Sequence, residues 1–196
     1  MLQMMKNEEQ RTHWDQKYQQ EMTSLTKPDP FFLSGYKQFV DDLFPNAGVV
    51  LDLAGGLGRH ALWLASRGWQ VSVVDISEVA ISRLRQAALQ LNLSLDLFAL
   101  AATEYTFEPA QFDLIVLFYH LDRNLCERIV SALKPGGFLI CKTSLRWDSD
   151  ETPIPASADP LQRNEILSLV PGLTVVYHRE RPVRDRGVVE FIGKKS

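Results

Sequence analysis

The sequence predicts a single-domain, doubly wound α/β fold, with a mostly parallel sheet covered by helices and closed by a C-terminal antiparallel hairpin. Three observations lead there. Short β-branched apolar runs alternate with segments of helical periodicity between Val49 and Thr143. The first run passes directly into a glycine-rich turn, Ala54-Gly55-Gly56-Leu57-Gly58, that opens a helix. The last two runs, Leu173 to His178 and Val188 to Ile192, are joined through Arg181-Pro182 to Arg186-Gly187 with no helix between them.

Residues 7 to 24 are polar but carry Trp14, Tyr18 and Met22 at spacings of four, a bulky stripe along one helical face. Such a stripe either docks the helix on the domain or closes over a ligand as a lid. Pro28, Asp29 and Pro30 break the chain; Phe31-Phe32-Leu33 and Tyr36 to Phe44 suggest a second short helix, ended by Pro45-Asn46-Ala47-Gly48. Residues 1–46 thus read as a helical cap and 47–196 as the ligand-binding domain. Val49 to Leu53 is the first strand, and Leu57, Ala61, Leu64 and Ala65 mark a helix stopped by Gly68. Trp69 to Asp75 is the second strand, followed by Ser77 as N-cap of a helix with Ala80, Leu84, Ala87, Ala88 and Leu91 on one face. A right-handed βαβ unit puts the loops after both strands at the same carboxyl edge.

A weaker strand spans about Leu93 to Leu100 and leads into the turn Ala101 to Tyr105. Phe112 to Phe118 has the apolar continuity of a central strand. It exits through Tyr119-His120-Leu121-Asp122-Arg123 into a helix from about Asp122 to Leu133. Lys134-Pro135-Gly136-Gly137 turns that helix into a strand, Phe138 to Thr143. Asp148 to Pro160, with three prolines and four acidic residues, reads as an exposed loop, and Leu161 to Val170 as the last helix.

Composition narrows the function. A chain of 196 residues, 45% hydrophobic, can bury a substantial core, and a net charge of -3 gives no general attraction to nucleic acid or to an anionic membrane. Lys6, Glu8 and Glu9 interrupt the N-terminal residues and no run of about 18 apolar residues occurs, so a cytoplasmic protein with no membrane partner is expected. Cys126 and Cys141 lack metal-ligand spacing, so no metal is expected. No G-x-S-x-G elbow, P-loop, H-E-x-x-H or calcium loop is present. The oligomeric state leaves no mark in the sequence.

Ligands of doubly wound sheets sit over the carboxyl ends of the strands, which would gather the 54–59 loop, Asp75, the 101–105 turn and residues 118–123 around one crevice. Glycines let the loop backbone bend and approach a ligand, and N–H groups at a helix start favour electron-rich groups. Asp75 lies about 20 residues beyond the loop, where an acid accepts ribose hydroxyls; the alternative is a helix cap, a role that Ser77 fills better. Gly56-Leu57-Gly58-Arg59-His60-Ala61 satisfies the degenerate Rossmann-like G-x-G-x-x-A pattern. Both NAD and S-adenosylmethionine present adenosine to such a loop.

Four segments in order, Asp52-Leu53-Ala54-Gly55-Gly56-Leu57-Gly58, Val74-Asp75-Ile76-Ser77, Phe112-Asp113-Leu114-Ile115-Val116 and Leu133-Lys134-Pro135-Gly136-Gly137-Phe138-Leu139, resemble the motifs of class I S-adenosylmethionine-dependent methyltransferases. Trp14-Asp15-Gln16-Lys17-Tyr18 resembles the N-terminal signature of the tellurite-resistance and thiopurine methyltransferase branch, as do Phe118 to Arg123 and Lys142-Thr143. The resemblance implies S-adenosylmethionine as cofactor. Asp52 and the backbone of Ala54, Gly55 and Gly56 would border its methionine part, with Arg59 reaching its carboxylate. Asp75 would hold the ribose, with Ile76 and Ser77 beside it and Ile76 against adenine. Ala101, Ala102 and Thr103 would line the adenine side, Phe118 and Tyr119 would lie below the methionine chain, and Trp14 and Tyr18 would close the lid.

Two positions depart from the family pattern. Ala54 replaces the first loop glycine, a mild change if its φ is negative. Ala102 replaces an expected Asp, which shifts adenine recognition to backbone groups or to Thr103 and Glu104. His120, at the exit of the central strand, is the candidate general base or substrate orienter, the alternative being a structural imidazole. Arg123 either binds an acidic substrate or caps its turn, and His60 packs on the first helix. The expected activity is methyl transfer to a small-molecule acceptor such as a metalloid or thiol, lined by the lid, His120 and Leu145 to Trp147. Two alternatives stay open, a regulatory protein that binds S-adenosylmethionine without catalysis and an NAD-dependent oxidoreductase; the latter lacks a Tyr-x-x-x-Lys pair.

Overall fold

In the computed structural model, described over residues 2–20, 27–146, 160–183 and 186–196, seven strands form a mixed, mostly parallel sheet accompanied by helices, the predicted α/β class. The chain divides into two compact units, 1–106 and 107–196.

The first unit holds helices α1 (Leu2–Gln20), α2 (Pro30–Phe39), α3 (Arg59–Ala65) and α4 (Glu78–Gln90), and strands β1 (Val49–Leu53), β2 (Gln70–Asp75) and β3 (Asp96–Ala99). Strand β2 pairs in parallel with β1 on one side and β3 on the other. The β-branched and leucine side chains Val50, Leu51, Leu53, Val73 and Val74 are fully buried, as strands covered on both faces require. Helix α2 starts earlier than the sequence spacing implies. Asp29 is its N-cap, accepting from Phe31 N at 2.9 Å, and Pro30 takes the first helical position, where its missing N–H costs nothing. The Pro28-Asp29-Pro30 break is therefore a helix start. Helix α2 is held through Phe32, whose ring lies 4.7 Å from that of His60, and through Tyr36, which accepts from Trp69 Nε1 at 2.9 Å. His60 Nε2 also accepts from Asp29 N at 3.3 Å, so His60 is buried against the start of α2.

The second unit holds β4 (Phe112–Phe118), α5 (Cys126–Ala132), β5 (Leu133–Leu145), α6 (Glu165–Leu169), β6 (Leu173–Val183) and β7 (Arg186–Lys195). Strands β4 and β5 are parallel, while β7 runs antiparallel to both β5 and β6. Four boundaries differ from the sequence expectation. The Lys134-Pro135-Gly136-Gly137 segment is not a turn ahead of the strand but lies inside β5: Phe112 pairs with Leu133 and Leu114 with Phe138, so the intervening residues bulge out of the ladder. A 3₁₀ turn over Arg123–Leu125, capped by Asp122, precedes α5. The last helix shrinks to Glu165–Leu169 because Leu161 forms a bridge with Leu145; Arg146 N donates to Leu161 O at 2.8 Å and Leu161 N to Ser144 O at 3.0 Å. The closing hairpin is longer than predicted, with Arg181-Pro182 inside β6. Met22, Trp147 and the acidic stretch 148–159 lie outside the described residues. No helix among the described residues is long and apolar enough to cross a membrane.

Candidate functional site

Strand β1 carries Asp52 into the core, 1% exposed, where its Oδ2 accepts from Ala61 N at 3.2 Å. Burial pushes its carboxyl up to about 7; the Ala61 N–H and the charge of Arg59 oppose the rise, and Asp75 adds to it. Arg59, half-buried, begins α3.

The loop after β1 turns through left-handed backbone at Ala54 (φ 55), Gly56 (φ 56) and Gly58 (φ 80). The negative φ that would make Ala54 a mild replacement is not what the fold adopts. An alanine there carries the Cβ strain that a glycine avoids. Ala54→Gly is expected to raise stability by about 0.5–1 kcal/mol, strain relief offset in part by the freer unfolded chain, and a chemical-denaturation midpoint checks it. Gly55 has a different reason to be glycine. A Cβ there would lie 2.7 Å from Val73 Cγ1 and 3.0 Å from Asp52 Cγ.

Asp75 closes the loop. Its Oδ2 accepts from Gly56 N at 2.7 Å and its Oδ1 from Ser77 N at 2.9 Å, so one carboxylate joins the glycine loop to the start of α4. A carboxylate offers about four acceptor positions, so two N–H donors do not saturate it. Ser77 is fully buried and is the expected N-cap: its Oγ accepts from Ala80 N at 3.0 Å. Ile76 is half-buried beside it. In the 101–105 turn Ala101 and Ala102 are buried and Thr103 half-buried, while Glu104 accepts from Ala101 N at 3.0 Å and from Asn7 Nδ2 at 3.1 Å.

Asn7 belongs to α1, and the way this helix docks is what sequence reasoning missed. The expected stripe is the bulky one of Trp14, Tyr18 and Met22. The working face is polar, made by Asn7, Arg11, Asp15 and Tyr18 at helical spacing. Asn7 reaches Glu104, Arg11 pairs with Glu78 at 3.2 Å, and Asp15 Oδ1 accepts from Ser77 Oγ and, at 3.2 Å, from Val79 N. Asp15 thus sets negative charge at the N-terminus of α4, where the helix dipole favours it. Arg83 of α4 donates to the Tyr18 carbonyl. The Tyr18 hydroxyl occupies the space over Gly56, 2.6 Å from where a Cβ would stand, and its ring stacks on Trp14 with centroids 5.7 Å apart. The spacing of four from Asn7 to Arg11 to Asp15 is the signal that could have exposed this face.

In the second unit β4 ends at Phe118, 8% exposed, and Tyr119 follows with φ 60 and its side chain in solvent. Tyr119 N donates to Lys142 O at 2.7 Å, which pins this strained turn. His120 is half-buried next in the chain. Arg123 is committed to packing: it forms an ion pair with Glu165, whose carboxyl that guanidinium holds below the usual range, and donates to Pro160 O. Lys142 lies 3.2 Å from Glu190 Oε1, and Arg181 grips the same carboxylate through Nη2 at 2.7 Å and Nε at 3.3 Å. Burial would raise the Glu190 carboxyl, but the hydrogen bonds from Arg181 and Lys142 outweigh it and hold it low.

Among the described residues no group of three His, Cys, Asp or Glu side chains could hold a metal ion. The first unit has the makings of a nucleoside site: a loop with left-handed turns at Gly56 and Gly58, a strand-end carboxylate already hydrogen-bonded to that loop, and a cationic side chain opening α3. This donor set fits an adenosine cofactor with an amino-acid end.

Comparison with known proteins gives the same direction. Residues 50–137 match the family described as a methyltransferase domain. The ubiquinone biosynthesis O-methyltransferase of Idiomarina loihiensis is 30% identical over 63% of this chain and 52% of its own length. The tRNA 5-carboxymethoxyuridine methyltransferase of Escherichia coli is 31% identical over 46% of this chain and 38% of its own. The chain thus spans about half, or less, of the curated relatives it matches. Among solved structures, TehB from Haemophilus influenzae superposes with a TM-score of 0.71 at 17% identity, covering 95% of this chain and 67% of that one; at this identity the likeness is one of fold.

Proposed function

We propose that this chain, whose residues 50–137 match a methyltransferase domain, is a class I S-adenosylmethionine-dependent methyltransferase that transfers a methyl group to a small-molecule acceptor. The observation that carries the reading is the Gly56 N to Asp75 Oδ2 hydrogen bond at 2.7 Å, which fastens the glycine loop to the strand-end acid. Asp75 would accept the ribose hydroxyls with Ile76 beside the base, Gly55 and Gly56 would lie against the amino-acid end, and Arg59 would offer a fork to its carboxylate. Ala101, Ala102 and Thr103 would border adenine. Trp14 and Tyr18, on a helix already seated over Gly56, would act as the lid that excludes water.

The cofactor supplies an electrophilic methyl group on a sulfonium. What the chain must supply is alignment of the acceptor nucleophile with the S–CH₃ bond, and positioning alone can account for a large part of such a rate enhancement. His120 would take a proton from a thiol or hydroxyl acceptor, or orient one that needs no deprotonation. Phe118 and Tyr119 would supply apolar walls. The finer assignment, a metalloid or thiol acceptor in the manner of the tellurite-resistance and thiopurine branch, rests on the Trp14-Asp15 to Tyr18 signature. The E. coli relative is named for a tRNA substrate, so nucleic acid belongs in the acceptor screen.

Calorimetric titration with S-adenosylhomocysteine tests cofactor binding, and transfer of labelled methyl groups to a panel of thiols, metalloid oxyanions, carboxylates and tRNA tests the activity. No saturable binding sinks the proposal. Asp75→Asn turns an acceptor into a donor facing Gly56 N or Ser77 N and weakens the ribose contact; its expected cost is about tenfold in S-adenosylhomocysteine affinity, the scale of one charged hydrogen bond. Ala54 in strained backbone favours one second reading, a protein that binds the cofactor without transferring its methyl group. Its mark is saturable binding with no methylated product across the panel.

A further inference from the structure

Of the signature Trp14-Asp15-Gln16-Lys17-Tyr18, Trp14 and Tyr18 serve as the lid, while Asp15 ties the lid helix to the rest of the first unit. Among the described side chains of α1 only Asn7 is buried, and the helix reaches α4 and the 101–105 turn through polar contacts. An element that buries little apolar surface opens at low cost, and its specific hydrogen bonds decide where it rests.

From Asp15 the hydrogen bonds run without a break to the glycine loop. Asp15 Oδ1 accepts from Ser77 Oγ at 2.5 Å and from Val79 N at 3.2 Å. A serine hydroxyl has one proton; given to Asp15, it leaves the oxygen lone pairs to the Ala80 N–H at 3.0 Å, so the Ser77 side chain is held from two sides. Ser77 N donates to Asp75 Oδ1 at 2.9 Å, and Asp75 Oδ2 accepts from Gly56 N at 2.7 Å. The series then returns to α1, because the Tyr18 hydroxyl stands over Gly56. Asp15 and Tyr18 are three residues apart on one helix face, so a single turn of α1 meets both ends of the series. All of these groups belong to the first unit. Capping α4 does not require Asp15, since Ser77 accepts from Ala80 N by itself. What Asp15 adds is a fixed place for residues 77 to 79 relative to the lid.

We propose, on the reading of Asp75 as the ribose acid, that Asp15 is a positioning residue for the ribose: it fixes the segment from which Ser77 N holds the Asp75 carboxylate, so that lid docking and ribose binding strengthen each other. The lid then senses the ribose hydroxyls as well as the amino-acid end beneath Tyr18. Coupling between two sites is reciprocal, so the factor that docking adds to ribose affinity is the factor that a bound ribose adds to docking.

The probes are adenosine, 2′,3′-dideoxyadenosine, which lacks both ribose hydroxyls, and S-adenosylhomocysteine, each titrated into the full chain. Adenosine is expected to bind about tenfold more tightly than the dideoxy compound, the scale of hydrogen bonds to a charged acceptor. At saturation it is also expected to slow amide exchange over residues 11–18 about fivefold more than the dideoxy compound does, a modest coupling between sites. Asp15→Ala is expected to shrink the preference for adenosine by the same factor of about five, and Asp15→Asn, which keeps a carbonyl oxygen for Ser77 Oγ and Val79 N, to restore most of it. A lid that is merely loosened weakens both nucleosides equally, so an unmoved preference in Asp15→Ala overturns the role of Asp15. Equal slowing of exchange by the two nucleosides in the unaltered protein overturns it without need of any variant. S-adenosylhomocysteine binding with no preference for adenosine refutes Asp75 as the ribose acid and the role of Asp15 with it, whereas absence of S-adenosylhomocysteine binding refutes the methyltransferase reading.

Discussion

Between about pH 4 and pH 8 the protein is expected to lose about 4 kcal/mol of stability that its Asp52→Asn variant retains. The Asp52 carboxyl sits in the core with its value raised from 3.8 to about 7, burial being the first cause. The neutral form is therefore the one the fold prefers, and its advantage is complete below the unfolded value near pH 4 and is lost as pH rises through 7. Each pH unit between those limits costs about 1.4 kcal/mol. Asparagine keeps a carbonyl oxygen for the Ala61 N–H and has no proton to lose. Denaturation of both proteins at pH 5, 6, 7 and 8 reads the effect as a growing gap in favour of the variant, because titrating groups not coupled to Asp52 cancel in the difference. A gap that stays flat across that window would show that Asp52 is ionised in the fold at low pH.

Gly58→Ala is expected to destabilise the protein by about 3 kcal/mol. Gly58 caps α3 at φ 80, and an added Cβ would lie 2.4 Å and 2.8 Å from the two methyl groups of Leu84, itself fully buried on α4. Left-handed backbone costs an alanine about 1–2 kcal/mol and overpacking a further 1–3 kcal/mol. Gly68 supplies the control. It too has positive φ, 85, but nothing lies within 4 Å of the point where a Cβ would stand, so Gly68→Ala carries the backbone cost alone. Equal losses in the two variants would remove Leu84 from the account.

That contrast also marks how far the sequence could be read. Gly58 and Gly68 are both visible as turn glycines, and the strand, loop and cap at Val49–Leu53, Gly58 and Ser77 follow from local chemistry that needs no tertiary information. The roles that stayed hidden depend on partners distant in the chain. Asp75 reads as a ligand acid, but that it also fastens Gly56 emerges only once β1 and β2 are paired. Asp15, Arg11 and Asn7 look like a solvated face until α4 and the 101–105 turn come up against them. Lys134-Pro135-Gly136-Gly137 carries every local mark of a turn, yet β4 recruits the residues on both sides of it into one ladder. Lys142 and Glu190 are separated by 48 positions, and only the antiparallel return of β7 turns them into an ion pair.

The bridge between Leu145 and Leu161 has a practical meaning. The chain leaves β5 and returns at one point, and both hydrogen bonds that hold the return, Arg146 N to Leu161 O and Leu161 N to Ser144 O, run through the backbone. Side-chain identity between those anchors is therefore not written into the closure itself, and each doubling of length between them costs only about 0.6 kcal/mol in loop entropy. The two leucines act as a cassette boundary, and exchanging the segment between them is expected to leave the ladder beneath intact.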